Sequence, residues 1–336
     1  MGGLGFRSAL QHAAGIYSIS LAHSSSLVKD IISPVNLRLP FDVPLQTLNT
    51  LVASPFTFED LKTTTQKAVS HAIDLRIQES VISAATSPRD KVRLSSVTKA
   101  HSGDFLNALP CSNLGLKMRS QEFLVAVHYR LGIPVFQADG PCPACNHPSD
   151  IFGDHALSCA SNGERISRHN WLRDAIFDTA YRARLSPAHE VRVLPGRAAR
   201  PADVYIPVWH RGMDAALDVT VVSPLAAYNL NGCLRDRDHA LDKAQKSKWR
   251  LVGEDCRRES IVFIPLPVET FGAWHHNALD NLSRLARDLA RKTSSVESTA
   301  VNHFFQRLSV LLQRGNATLI LSRQPSFPPA CVSGDQ

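Results

Sequence analysis

Two sets of residues in this chain can do chemistry by their type and spacing. The first is Cys142-Pro-Ala-Cys145, then Asp154-His155, then Ser158-Cys159. A Cys-x2-Cys knuckle lets two thiolates grip one ion from a tight turn, and a His and a Cys four apart share one side of a helical turn. Together Cys142, Cys145, His155 and Cys159 supply the four ligands of a closed tetrahedral zinc site. Such a site is structural, because no position is left for a substrate water. His147 and Asp150 are alternative ligands, but His155 is better placed relative to Cys159.

The second set is a pair of aspartates in otherwise apolar strings, Ala202-Asp203-Val204-Tyr205-Ile206 and Ala216-Leu217-Asp218-Val219-Thr220-Val221. His210-Arg211-Gly212 between them is a turn signal. A hairpin folded symmetrically about the His210–Arg211 bond sets Asp203 opposite Asp218, with Cβ atoms roughly 5 Å apart. Two carboxylates that close repel unless one takes a proton or a cation joins them. Mg²⁺ and Mn²⁺ favour oxygen ligands of this kind. Spacing alone leaves two outcomes open: a divalent metal site, or acids that cap a turn or pair with Arg200 or a helix lysine.

A basic helix follows, holding Lys243, Lys246 and Lys248. A lysine beside metal-bound carboxylates can position a water or offset charge on a phosphate under attack. Lys246 is preferred over Lys248, because it shares a helical face with Lys243 while Lys248 points largely elsewhere. An ordinary solvated basic face is the alternative. Arg168, His169 and Lys243 are candidates for nucleic-acid contact, again against a solvated face. Glu190 is read as a surface acid, with a third metal ligand as its alternative. Glu269 is read as an acid near a helix start around 272.

These side chains need a scaffold. Apolar periodicity predicts helical runs over 7–21, 58–81, 117–131, 164–185, 234–252, 272–291 and 296–314. Phe123, Leu124, Val127 and Leu131 are expected to face inward. Apolar strands are expected over 202–208, 215–222 and 261–268, with a further one at 190–194. This mixture is α+β.

Composition narrows the class. The chain has 336 residues, 44% of them apolar and 20% charged, which rules out wholesale disorder. No apolar run approaches the about 20 residues that a membrane span needs, and no secretory leader opens the chain. Seven cysteines without such a leader argue against a secreted disulfide framework. The expectation is an intracellular protein without a membrane anchor. A net charge of +7 suits a polyanionic partner. Between 281 and 323 seven basic residues face two acidic ones, a surplus that fits a phosphate backbone. There is no Ser-His-Asp ordering, P-loop or Gly-x-Gly-x-x-Gly, so no small-molecule cofactor is expected.

The cysteine–histidine string, then Arg168-His169-Asn170, Arg200-Pro201-Ala202-Asp203, Asp218-Val219-Thr220-Val221-Val222, the lysine-rich helix and Val268-Glu269-Thr270-Phe271-Gly272 together resemble the C-terminal part of non-LTR retrotransposon polyproteins. In that family a zinc knuckle and a PD-(D/E)xK restriction-like endonuclease follow the reverse transcriptase. The resemblance covers about 2–323, and Gly2-Gly3-Leu4-Gly5 is similar to the segment after the polymerase core. It implies that Asp203 and Asp218 are the catalytic, Mg²⁺- or Mn²⁺-binding acids. It also implies that the lysine comes from the following helix, as Lys246 or Lys248. Two departures stand out: Ala202 separates Pro201 from Asp203, and Thr220 stands where the motif has lysine.

The domain reading is a helical region over 1–135, a zinc knuckle over 136–163, a restriction-endonuclease-like core over 164–270, C-terminal helices over 271–324 and a disordered tail over 325–336. The string nearest a polymerase motif, Phe136-Gln-Ala-Asp139-Gly140, lacks the second aspartate, and no palm domain fits upstream of Gly2. No reverse transcriptase activity is expected. The expected function is metal-dependent endonucleolytic cleavage of DNA in the nucleus, nicking a target for primed reverse transcription. The alternative is an inactive zinc-containing remnant that binds DNA or RNA.

Overall fold

The computed structural model describes residues 4, 6–32, 40–159, 161, 163–192, 194 and 202–323. Gly2, Gly3, Pro34, Arg200, Pro201 and the tail at 325–336 lie outside the described residues. The chain divides into two units at Thr86–Ser87.

The first unit is helical: α1 (Ala9–Ile32), α2 (Asp42–Thr50), α3 (Phe58–Thr63) and α4 (Gln66–Ala84). The periodic run over 58–81 is two helices. Thr57 and Asp60 form a reciprocal capping box at the start of α3, and the Thr65 hydroxyl accepts from the Ala68 N–H to start α4 afresh. Ile19, Ala22, Leu48, Leu61, Val69 and Ile73 form the core. Gly15 permits the close approach of α1 to α4, since a Cβ there would lie 2.9 Å from Ile73 Cδ1.

In the second unit the order is α5 (Pro88–Val97), α6 (Ser120–Leu131), β1 (Gly140–Pro141), β2 (Pro148–Ser149), α7 (Asp154–Ser158), α8 (Glu164–Arg182), β3 (Ala188–His189), β4 (Val204–His210), β5 (Met213–Val222), α9 (Ala227–Arg235), α10 (His239–Lys248), α11 (Glu254–Arg258), β6 (Ile261–Glu269), α12 (His276–Thr293) and α13 (Glu297–Leu321). The main sheet runs β3-β4-β5-β6. Its first three strands are antiparallel, and β6 lies parallel to β5. A parallel step requires a crossover, which α9, α10 and α11 supply. The fold is mixed α and β, as expected.

Strand alternation sends Leu217 and Val219 to one face of the sheet, where they pack with Leu172 of α8, Leu282 of α12 and Leu308 of α13. Ala216 and Asp218 take the other face, toward α11 and the end of α10. The sheet therefore carries a closed apolar side and a side on which polar groups gather.

Several expectations change. The helices expected as a separate region over 271–324 form one wall of the sheet's core. The region expected over 1–135 is split, because Val92 of α5 and Val125 of α6 pack with Ile320 of α13. The inward face of α6 is Val125, Ala126 and Tyr129, while Phe123 and Leu124 are exposed. The reason is that Glu122 and Arg130 are buried with partners, Arg119 and the Val97 and Ser102 carbonyls. Counting them as solvent-facing rotates the helix. A short strand stands at Ala188–His189, just before the one expected over 190–194. The helix expected over 234–252 breaks after Arg235, resumes as α10 and ends in a π-helical turn, Trp249–Gly253.

Candidate functional site

The cysteine–histidine cluster is built by a minimal hairpin and one helical turn. β1 pairs with β2, and the Cys142 N–H donates to the His147 carbonyl at 2.8 Å. Asn146 adopts a left-handed φ of 59°, which closes the knuckle. Asp150 caps α7, its carboxylate accepting from the N–H groups of Phe152, Asp154 and His155. That cap orients His155, and it occupies Asp150, which is thereby removed as an alternative ligand. The exposed His147 lies 3.1 Å from the Cys145 carbonyl through Nδ1 and is not part of the cluster.

The ligand atoms of Cys142, Cys145, His155 and Cys159 all lie within 4.8 Å of one another. Cys145 Sγ is 3.2 Å from His155 Nε2, and Cys142 Sγ is 4.0 Å from Cys159 Sγ. Tetrahedral zinc, with bonds of about 2.3 Å to sulfur and 2.0–2.1 Å to nitrogen, fits those separations. Burial pushes the Cys159 thiol up, but the Ser161 N–H and the Arg323 guanidinium outweigh it and bring Cys159 down to about 6. A thiol poised as thiolate is what a zinc ligand needs. This Cys3His cluster is compatible with zinc.

The aspartates meet by strand register. β4 pairs Val204 with Leu217 and Tyr205 with Ala216, and the Asp203 N–H extends the ladder to the Leu217 carbonyl at 2.9 Å. The hairpin turn is Arg211-Gly212, with φ of 56° and 81°, the signature of a two-residue primed turn. The turn is thus one residue later than symmetric folding predicts. A bulge between Ile206 and His210 absorbs the difference, with Val208 at φ 52°. Asp203 and Asp218 end on facing strands within hydrogen-bonding reach of each other.

Their environments differ. Asp203 Oδ2 accepts from the Val219 N–H at 2.6 Å and from His169 Nε2 at 2.9 Å. Burial raises Asp203, but these bonds prevail and hold it below the ordinary carboxylate range. Asp218 is 8% exposed, and burial with Asp203 alongside pushes it up to about 6 despite Lys248. At neutral pH the pair is one firmly ionised acid beside one easily protonated acid.

Lys248 is the lysine that reaches the pair, its Nζ 3.0 and 2.8 Å from the two Asp218 oxygens. Lys246, the preferred residue from helical spacing, is exposed. Lys243 donates to the Tyr228 carbonyl and Asn229 Oδ1. The rotation of α10 is set by Ala240, Leu241 and Ala244, which are buried, and this turns the helix end toward Asp218.

Arg168 does not face solvent. It is 2% exposed, stacks on Gly315 and donates to Asn316 Oδ1 at 2.7 Å. A phosphate contact by Arg168 is excluded by that burial. His169, the next residue, turns to Asp203. Glu190 accepts from Arg173 at 2.5 Å, so it is an ion-pair partner. Glu269 is fully buried against Lys99 at 2.7 Å, and α12 starts only at His276, so Glu269 is not a helix-start acid.

Sequence reasoning missed His169 as a partner of Asp203; polar His169 four residues from Arg173 on α8 gives no signal of it. Thr220 Oγ1 and Gln245 Oε1 are buried with no hydrogen-bond partner among the described residues. Comparison with known families and with curated proteins returns no match to this chain. No helix among the described residues is long and apolar enough to cross a membrane.

Proposed function

We propose that this chain is a metal-dependent DNA endonuclease of the PD-(D/E)xK type, derived from a non-LTR retrotransposon polyprotein and acting in the nucleus. The observation that carries the reading is the Asp203–Asp218 pair with Lys248 held on Asp218. Two carboxyls and an ammonium in one half-buried place are the groups that hydrolysis of a phosphodiester needs.

Asp203 and Asp218 would hold Mg²⁺ or Mn²⁺, an all-oxygen donor set that suits hard cations. When bound, such an ion polarises a phosphate oxygen and acidifies a coordinated water. Lys248 offsets the negative charge that builds on the phosphate, in a setting screened less than bulk water. Asp218 holds its proton more tightly than an ordinary carboxyl and is available as an ionised oxygen donor only above about 6. The zinc-compatible knuckle and the exposed Arg287, Arg291 and Lys292 of α12 would hold the nucleic acid, and the backbone contacts would make affinity steeply salt-dependent.

Thr220 at the motif's lysine position favours a second reading, an inactive zinc-containing remnant that binds DNA or RNA. A plasmid-nicking assay with zinc-loaded protein and Mg²⁺ or Mn²⁺ separates the two. Nicking by wild type and none by Asp218→Ala is expected. Salt-sensitive binding with no nicking by a folded wild type would favour the remnant.

A further inference from the structure

We infer that His169 is a positioning residue that orients Asp203 for a divalent metal ion. This rests on the proposed reading of Asp203 and Asp218 as metal ligands and deepens it. His169 belongs to α8, on the closed side of the sheet, yet its ring reaches the first residue before β4. Its Nε2 lies 2.9 Å from Asp203 Oδ2, and a carboxylate can only accept there, so Nε2 carries the proton.

The same oxygen also accepts the Val219 N–H at 2.6 Å. Both donors converge on Oδ2, which leaves Oδ1 without either of them. A carboxylate pinned through one oxygen has its rotation about the Cβ–Cγ bond fixed, and its other oxygen is presented in one direction. The Val219 N–H alone comes from the partner strand of the same hairpin and lies in the plane of the sheet. His169 adds a hold from a second element.

That element is itself locked. Arg168 packs its stem on Gly315 and bonds Asn316 of α13, so α8 cannot rotate about its axis. Leu172 and Ile176 bury the adjacent face. Consecutive helical residues point about 100° apart, so fixing Arg168 inward fixes His169 toward Asp203. The tripeptide Arg168-His169-Asn170 therefore splits its work: one residue anchors the helix, the next sets the acid. Outer residues that orient a metal ligand typically change affinity or activity by about 10–100-fold when removed.

The test titrates Mn²⁺ into the zinc-loaded full chain and reads free Mn²⁺ by its electron paramagnetic resonance signal, with plasmid nicking in parallel. His169→Ala and His169→Phe, the latter keeping ring volume without a donor, are expected to weaken Mn²⁺ binding by about tenfold or more. His169→Gln, whose amide nitrogen can still donate, is expected to restore most of it. Wild-type affinity in His169→Phe, or Gln no better than Phe, would overturn the positioning role. Wild type that binds Mn²⁺ no better than Asp203→Ala would overturn both the metal reading and this inference. Wild type that binds Mn²⁺, loses it on His169→Phe and yet never nicks would end the nuclease reading while supporting His169.

Discussion

Lys248 Nζ lies 2.8 Å from Asp218 Oδ2, across 30 residues of sequence and from a helix to a strand. The contact needs α10 to end where it does, since Lys248 is its last residue and the π-helical turn begins at Trp249. A π-helical turn widens the helix by one residue per turn and redirects the side chains around it. Trp249 packs over Gly253 there, where a Cβ would lie 2.6 Å from its ring.

Two lysines on one helix therefore stand differently toward Asp218, and unequal effects are expected. Lys248→Ala is expected to lower the nicking rate by about 10²–10³-fold, the scale for removing one charge-stabilising donor. Lys246→Ala is expected to leave the rate per bound plasmid near wild type. Single-turnover nicking rates compare the two, and equal effects would remove Lys248 from the site.

The acidic pair also gives a stability signature. Asp218 is raised from 3.8 to about 6, so it holds its proton more tightly folded than unfolded. Its contribution to stability is present below the unfolded value and is lost as pH rises through about 6. His169 is raised by Asp203, although burial opposes this, and it acts in the same sense. Asp203 is lowered and acts only at more acidic pH. Without added divalent metal, the Tm of wild type minus that of Asp218→Asn is expected to fall between about pH 5 and about pH 7.5. A difference independent of pH would contradict the paired environment.

For the knuckle, one zinc per chain is expected by metal analysis, and Cys159→Ser or His155→Ala is expected to lose it. The effect should reach α13, because a Cβ at Gly153 would lie 3.1 Å from Ile320 Cγ1 and the Arg323 guanidinium bonds Cys159. Chelation is expected to raise hydrogen exchange at the end of α13 while the central sheet stays protected. Uniform loss of protection would show that zinc holds the whole unit.

Arg168 offers a structural control. Arg168→Ala removes a buried side chain and its bond to Asn316, and is expected to cost about 2 kcal/mol of stability. The slope of DNA affinity against salt is expected to stay unchanged, because a buried guanidinium releases no counterions on binding. A shallower slope would return Arg168 to the nucleic-acid surface.

Much of this protein is local and so was legible in the sequence. The four ligands Cys142, Cys145, His155 and Cys159 fall within one short stretch, and a tight turn plus one helical turn can gather them without help from the rest of the chain. The strand strings around Asp203 and Asp218 imply their facing positions, because two strands joined by a short turn have few registers to choose from. The structure keeps Val204 opposite Leu217 even though the turn falls one residue later.

What tertiary structure decided is the direction in which each helix faces. Spacing on α10 favours Lys246, yet burial of Ala240, Leu241 and Ala244 against the sheet turns Lys248 to Asp218. On α6 the buried Glu122 and Arg130 reverse the apparent apolar face, and on α8 Arg168 is buried beside the apolar Leu172 and Ile176. A charge is expected at the surface unless a partner meets it. Those partners, Asn316 for Arg168 and the Ser102 carbonyl for Arg130, lie 148 and 28 residues away. Helix rotation is a balance of packing over the whole core, and no local string contains it.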